Sequence, residues 1–377
     1  MDFDPSAEYL EVIAVAESVA AKLRPGYIER ERAGQYPWRP LAMLGSAGLL
    51  GLNVPEAAGG QDAGELLTGM VCEILATADY ALPLLVMEAG SAAKLIHRHG
   101  SEQLREQWLP DLLAGRVTVG LALTEPEAGS DIAAATNTHA RPSQHGDGWI
   151  LNGEKCSMTF VESQLALVLA GTPDGPALFA VPTDAPGVSV SPFEDMGASQ
   201  IGRAVVTFDD VRVPASSLMG AVGKGVGTVI SVLGIAKIHV SAITLGLAKA
   251  SLEDAIQWAQ ERRTYGALLA TRQGVMFPLA DMATEVEAAR LLIHKALWLA
   301  DKGRPYQREA AMVKAWVPAM AARICHESLL TLGHVGYSRE HPAQARLRDV
   351  IGAELGEGAA NVQRLITTRS LTGLIPT

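Results

Sequence analysis

The hydrophobic period of this chain changes twice along its 377 residues. From Pro5 to about Leu113 apolar residues recur at helical spacing, as at Leu10, Ile13, Ala14 and Ala21, with a stop at Arg24-Pro25-Gly26. The middle third instead carries short β-rich runs at 117–123, 149–151, 165–170, 178–181 and 188–190, punctuated by Gly, Pro, Asp and Asn. A last run at 204–208 ends in Asp209-Asp210. Beyond Gly220–Gly227 the helical period returns and holds, predicting long helices over 229–263 and 275–302 and further ones over 307–332 and 361–370. Strands this short with no helices between them predict an antiparallel sandwich or barrel. The expected fold class is therefore α+β and mostly α, with a helical domain over 1–118, an antiparallel β-domain over 119–222 and a helical domain over 223–377.

Composition narrows the function classes. Aromatic residues are only 5% against 48% hydrophobic, so the core must be built from Ala, Leu, Val and Ile, which suits closely packed helices. A net charge of −10 is the wrong sign for a nucleic-acid binder. Cys72, Cys156 and Cys325 are scattered and odd in number, which fits a reducing compartment better than a disulfide framework or a metal cluster. The acidic start (Asp2, Asp4, Glu8, Glu11, Glu17) is unlike a signal peptide. Charges break the apolar stretches before the ~18 residues a membrane span needs. The expectation is a soluble, cytoplasmic protein.

Several motifs fail their tests. Lys224 in the glycine-rich run is followed by Gly225 rather than Ser or Thr, so it is no Walker loop, and no βαβ unit precedes it. The histidines, among them His97, His99, His294, His326, His334 and His341, lack ligand spacing, so no metal is expected. No Ser sits in Gly-x-Ser-x-Gly. More informative is 121–131, Leu-Ala-Leu-Thr-Glu-Pro-Glu-Ala-Gly-Ser-Asp. It reads as a strand entering a turn, with amides and the hydroxyls of Thr124 and Ser130 available to a polar heterocycle edge or, equally, to the turn itself.

That segment, Trp149-x-Leu-Asn-Gly-Glu-Lys155, Phe208-Asp-Asp-Val-Arg-Val-Pro214, Arg262-Arg-Thr-Tyr-Gly266 with Gln273, Gly333-x-x-Gly-Tyr337, and Arg348-Asp349 ahead of Glu357-Gly358 occur in one order over nearly the whole chain. Together they resemble the acyl-CoA dehydrogenase family. The resemblance implies an N-terminal helical domain, a middle β-domain and a C-terminal four-helix bundle, assembled as a homotetramer or dimer of dimers. It implies FAD as cofactor, with Leu123, Thr124, Ser130, Met158 and Thr159 along the flavin ring. Arg262, Gln273 and Gly333 would meet the rest of FAD across a subunit interface. Ser130, Lys237 and Gly358 would contact substrate. Glu357 would be the catalytic base, removing the α-proton of an acyl thioester while a β-hydride passes to flavin N5, giving a trans-2-enoyl thioester. An electron-transferring flavoprotein would take the electrons.

The chain departs from the family pattern at several points. Ser157-Met158-Thr159 replaces a Trp-x-Thr triplet, which predicts open space beside the flavin. The patch 199–203 is Ser-Gln-Ile-Gly-Arg, His334 replaces a glycine, and Ala359 replaces a threonine. Gly234 and Lys237 stand where relatives hold an Asp and an Arg, and Ala236 leaves no second candidate base. These changes favour a specialised, branched, cyclic or carrier-bound acyl group. They also keep open a partner subunit without turnover and a flavin monooxygenase-type relative.

Overall fold

The structure, a computed structural model, describes residues 5–144 and 146–374; Asp2 and Asp4 lie outside them. The N-terminal region folds as α1 (Ala7–Leu23), α2 (Tyr27–Ala33), α3 (Trp38–Ser46), α4 (Glu65–Ala76), α5 (Ala81–His99) and α6 (Glu102–Leu113). Ser6 and Ser101 start α1 and α6, each hydroxyl accepting an N–H from three residues on, at 3.2 Å. Helix α5 is buried from Ala81 to Ile96. A polar residue on it, such as Glu88, is therefore committed to the interior.

The middle region contains β1 (Val119–Ala122), β2 (His139–Pro142), β3 (Gly148–Thr159), β4 (Leu165–Ala170), β5 (Ala177–Pro182), β6 (Val188–Pro192), β7 (Arg203–Pro214) and β8 (Leu218–Met219). They form two four-stranded sheets, ordered β1-β4-β5-β8 and β2-β3-β7-β6. Leu151, Met158, Val168, Phe179, Val206 and Phe208 fill the space between them. The sandwich expectation holds with one correction: β1 pairs parallel to β4, Val119 beside Leu165. The chain leaves β1 for the opposite sheet and returns, and such a crossover is what parallel neighbours require. A second correction concerns 204–208, which runs on to Pro214. The Asp210 N–H donates to Asn152 Oδ1 (2.9 Å) and Asn152 Nδ2 donates to Asp210 Oδ1 (3.1 Å), carrying the pair across a register shift at Leu151/Gly153.

The C-terminal region comprises α7 (Gly225–Glu261), the two-residue strands β9 (Arg263–Thr264) and β10 (Ala267–Leu268), then α8 (Gln273–Asp301), α9 (Gln307–Leu332), α10 (His334–Tyr337), α11 (Pro342–Leu355) and α12 (Ala360–Thr372). Helix α7 is central, packing on α8 and α9 and on α4 and α5 of the N-terminal region, so one apolar core joins the two helical parts. Charges at Lys237 and Lys249 break the apolar run of α7, as expected, although the helix as a whole is long and apolar. It meets the length and composition of a membrane span, with a window of mean hydropathy 1.8. Its run from Ile238 to Ala248 is wholly buried by neighbouring helices, which explains an apolar character on every side.

Candidate active site

Helix α11 connects all three regions through Arg348 and Asp349. Asp349 accepts from the Tyr27 hydroxyl (2.8 Å) and from the Ala198 N–H (2.7 Å). Arg348 donates to Glu31 Oε1 (2.5 Å) and to the carbonyl of Met196 (2.6 Å). The 193–202 segment, which leads into β7, is therefore clamped to the C-terminal helices. Gly197 is required in that clamp, because a Cβ there would lie 2.8 Å from the Arg348 backbone. The clamp fixes the end of α11 and the turn that leaves it.

Glu357 lies in that turn. Its backbone is left-handed (φ 54°), an uncommon conformation for a residue with a side chain, and Gly358 beyond it is at φ 94°. The residue as a whole is half-buried, yet its Oε2 is sealed from solvent and has no hydrogen-bond partner. Buried carboxylate oxygens are normally paired, so an orphan at a strained turn points to a ligand. Burial raises the carboxyl above its ordinary range, and Lys314 and Lys237 pull it partway back.

Both lysines are on the helical bundle. Lys314 on α9 is 1% exposed and donates to the carbonyls of Ala353 and Glu354 at 3.1 Å, satisfying the C-terminal end of α11. Burial pulls its ammonium down to about 8, with Glu357 and Glu354 opposing and Lys237 reinforcing. Lys237 on α7 donates to Gln363 Oε1 at 3.4 Å, and burial lowers it too, against the attraction of Glu357. A Cβ on Gly358 would come within 2.5 Å of Gln363 Nε2, so a side chain there would disturb the partner of Lys237.

In the middle region the 121–137 segment is held by a buried ion pair whose pairing the sequence motifs did not reveal. Lys155 Nζ donates to Glu125 Oε1 (2.8 Å) and to the carbonyls of Leu123 (3.0 Å) and Ala135 (3.1 Å). Glu125 also accepts the N–H groups of Asn137 (2.9 Å) and Thr138 (2.8 Å). Burial alone would raise the Glu125 carboxyl, but Lys155 and the two amides outweigh it and hold it below its ordinary value. Thr124 joins this loop to β3: its hydroxyl donates to the Cys156 carbonyl and accepts the Ser157 N–H at 3.1 Å.

The other expected flavin-side residues divide. Thr159 is half-buried at the end of β3 and Ser130 is exposed on the loop, both open to a ligand. Leu123 is 9% exposed and packs into the helical core, while Met158 is fully buried in the sandwich core. Strand alternation turns the Met158 side chain inward, so only its backbone can meet a cofactor. The space expected beside Ser157 is partly filled: Arg203 donates to Ser157 Oγ at 3.2 Å and is held by Asp195 at 2.8 Å. Arg262 and Gln273 are exposed, and Gly333 ends α9 at φ 64° with open space beside it. Arg262 lies about 37 Å along α7 from Lys237, given the ~1.5 Å rise per residue. It therefore cannot share one ligand-sized site with Glu357 in the same chain.

The three regions match, in order, the family models for the acyl-CoA dehydrogenase N-terminal domain (11–116), middle domain (120–211) and C-terminal domain (223–372). The chain belongs to the acyl-CoA dehydrogenase family. It is an oxidoreductase acting on CH–CH groups. A probable acyl-CoA dehydrogenase of Bacillus subtilis is 32% identical over 98% of this chain and 100% of its own length. Among solved structures, butyryl-CoA dehydrogenase from Megasphaera elsdenii superposes with a TM-score of 0.93 at 30% identity, covering 98% of this chain and all of that one. A glutaryl-CoA dehydrogenase from Mycobacterium smegmatis in complex with FADH2 matches with a TM-score of 0.93 at 27% identity, over 99% and 96% of the two chains. Measured against the family pattern, Lys314 and Glu125–Lys155 are structural supports of the site. Glu125 and Lys155 lie inside the quoted motifs, which did not reveal their pairing, while the only sequence signal at Lys314 was a charge within an otherwise apolar helix face.

Proposed function

We propose that this protein converts an acyl thioester to its trans-2-enoyl form, with Glu357 as the base that removes the α-proton. The orphaned, buried Glu357 oxygen between two cations carries this reading. A base must be ionised yet hold a proton well enough to take one from a weak carbon acid; burial supplies the second property and the lysines preserve the first. The Glu357 N–H has no backbone acceptor among the described residues, so it is free to polarise the thioester carbonyl. The α-proton then passes to the carboxylate, and the Cα–Cβ double bond forms as hydride leaves Cβ.

The residues present fit FAD, which when bound supplies the acceptor for that hydride. The Thr124 loop and the Thr159 end of β3 would offer polar groups to the flavin, and Leu123 and Met158 would contribute backbone. The guanidinium of Arg262 lies 5.8 Å from the Trp258 ring and makes no ion pair among the described residues, which leaves it available to a pyrophosphate. The separation of Arg262 from Glu357 supports a neighbouring copy as the source of Arg262, Gln273 and Gly333. Exposed Tyr265, Met276 and Phe277 beside them provide apolar surface for that contact. A homotetramer in the cytoplasm, with an electron-transferring flavoprotein as acceptor, completes the reading.

The deciding experiment is an anaerobic screen of acyl thioesters for bleaching of the bound flavin; no bleaching by any of them overturns the reading. Arg262→Ala should weaken FAD retention at least about tenfold while leaving circular dichroism unchanged, measured by flavin-to-protein ratio after gel filtration. Unchanged retention would remove Arg262 from the cofactor site. Ser157→Trp should keep FAD but slow bulky acyl groups more than short linear ones. Because Arg203 must first leave Ser157, the effect on linear substrates should be small but measurable. Equal slowing of both would show that Ser157 does not select substrate.

A further inference from the structure

Glu88 is a second buried carboxyl with an orphaned oxygen, near enough to Glu357 to feel its charge, and dehydrogenation by Glu357 makes no use of it. It is on α5, which packs against both α7 and β1, and it is 6% exposed. Its Oε1 is buried with no partner, and among the described residues no hydrogen bond or ion pair reaches the side chain. The ionisable groups that sense it are Glu357 on the catalytic turn and Tyr36, whose hydroxyl is already engaged with Thr118 at 3.0 Å. Burial, with the like charge of Glu357 added, pushes Glu88 up to about 8. A carboxyl left unsatisfied in a core costs stability that Leu would avoid. An orphaned carboxyl in this position fits a ligand group that completes it.

We infer that Glu88 recognises a hydrogen-bond donor, a hydroxyl or an ammonium, carried on the acyl chain of the substrate beyond the reacting carbons. The inference rests on the dehydrogenase reading and narrows its substrate class to polar-substituted acyl thioesters. A plain alkyl chain would leave the carboxyl orphaned, whereas a donor at its tail would satisfy Oε1 on binding. The two protonation states of Glu88 suit the two donors: the carboxylate pairs with an ammonium, the neutral acid accepts from a hydroxyl.

The test uses the flavin-loaded protein and compares butyryl-, pentanoyl- and hexanoyl-CoA with their ω-hydroxy and ω-amino counterparts. At least one substituted thioester should exceed its plain parent in kcat/KM by about tenfold to a hundredfold, the range expected for a hydrogen bond to a charged group. Most of that gain should lie in KM, since the contact is to a group that takes no part in the bond changes. Glu88→Leu should abolish the preference while FAD content and turnover of plain chains persist or improve. Glu88→Gln, which keeps an acceptor, should retain preference for hydroxyl and lose it for ammonium. If plain chains react as well as substituted ones, or the preference survives Glu88→Leu, the assignment of Glu88 falls while the dehydrogenase reading stands. If no thioester bleaches the flavin, both fall.

Discussion

Glu357→Gln should keep FAD content and assembly and lower the rate of anaerobic flavin bleaching by about 10²–10⁴-fold, the usual contribution of a positioned base. The substitution preserves size and the left-handed turn but removes the proton acceptor. Among the described residues the neighbouring groups are poor substitutes: Lys237 and Lys314 are engaged by Gln363 and by the end of α11, Glu88 holds its proton up to about 8, and position 236 is a buried alanine. The wild-type rate should rise with pH as Glu357 ionises, with a midpoint above the ordinary carboxylate range because burial dominates its environment. In Glu357→Gln that limb should vanish. A variant that bleaches as fast as wild type, or keeps the same pH limb, would assign the base elsewhere.

The fold was legible where side chains followed a simple period. The two changes of hydrophobic spacing reported a helical, β, helical order because each region buries one kind of face, and 165–170 reads as a buried strand from its unbroken apolar run. Helix α11 was not legible. Its inward positions include Arg346 and Asp349, buried polar residues that look like surface in a sequence, and its apolar face is largely alanine. The parallel β1–β4 pair was also hidden, since the identity of a strand's neighbour is a matter of tertiary register rather than local pattern.

The site shows the same limit. Glu357 stood out through its place in an ordered family series, and the structure adds what the series lacks: the orphaned oxygen and the two flanking lysines. Glu88 and Lys314 interrupt apolar helix faces, and in a single sequence such residues are indistinguishable from solvent-facing charges until burial is known. Met158 illustrates the reverse case. A residue within a cofactor motif can serve the core with its side chain and the ligand only with its backbone.

Lys155→Met should destabilise the protein by about 3–5 kcal/mol, the range for breaking a buried ion pair on one side. The ammonium is wholly buried and Glu125 is 1% exposed on its side chain, so water cannot replace the lost partner. Three acceptors depend on that one group, and the carbonyls of Leu123 and Ala135 would be left unpaired with it. The apparent melting midpoint should fall by roughly 5–10 °C, and FAD retention should weaken, since Thr124 sits in the loop the pair holds. The pH dependence has a defined sign. The folded Glu125 carboxyl is held below its ordinary value, so the pair's stabilisation is present above the unfolded carboxylate value near ~4.5 and is lost as pH falls through the folded one. The deficit of Lys155→Met should therefore be largest near neutrality and shrink on acidification, as the stranded carboxyl takes a proton. Adding Glu125→Gln removes the stranded charge while keeping an acceptor for the Thr138 N–H. The double variant should melt above Lys155→Met alone, the non-additivity expected of direct partners. A single variant melting within about 1 °C of wild type, or a double variant lower than the sum of the two singles, would show that the loop is held by other contacts.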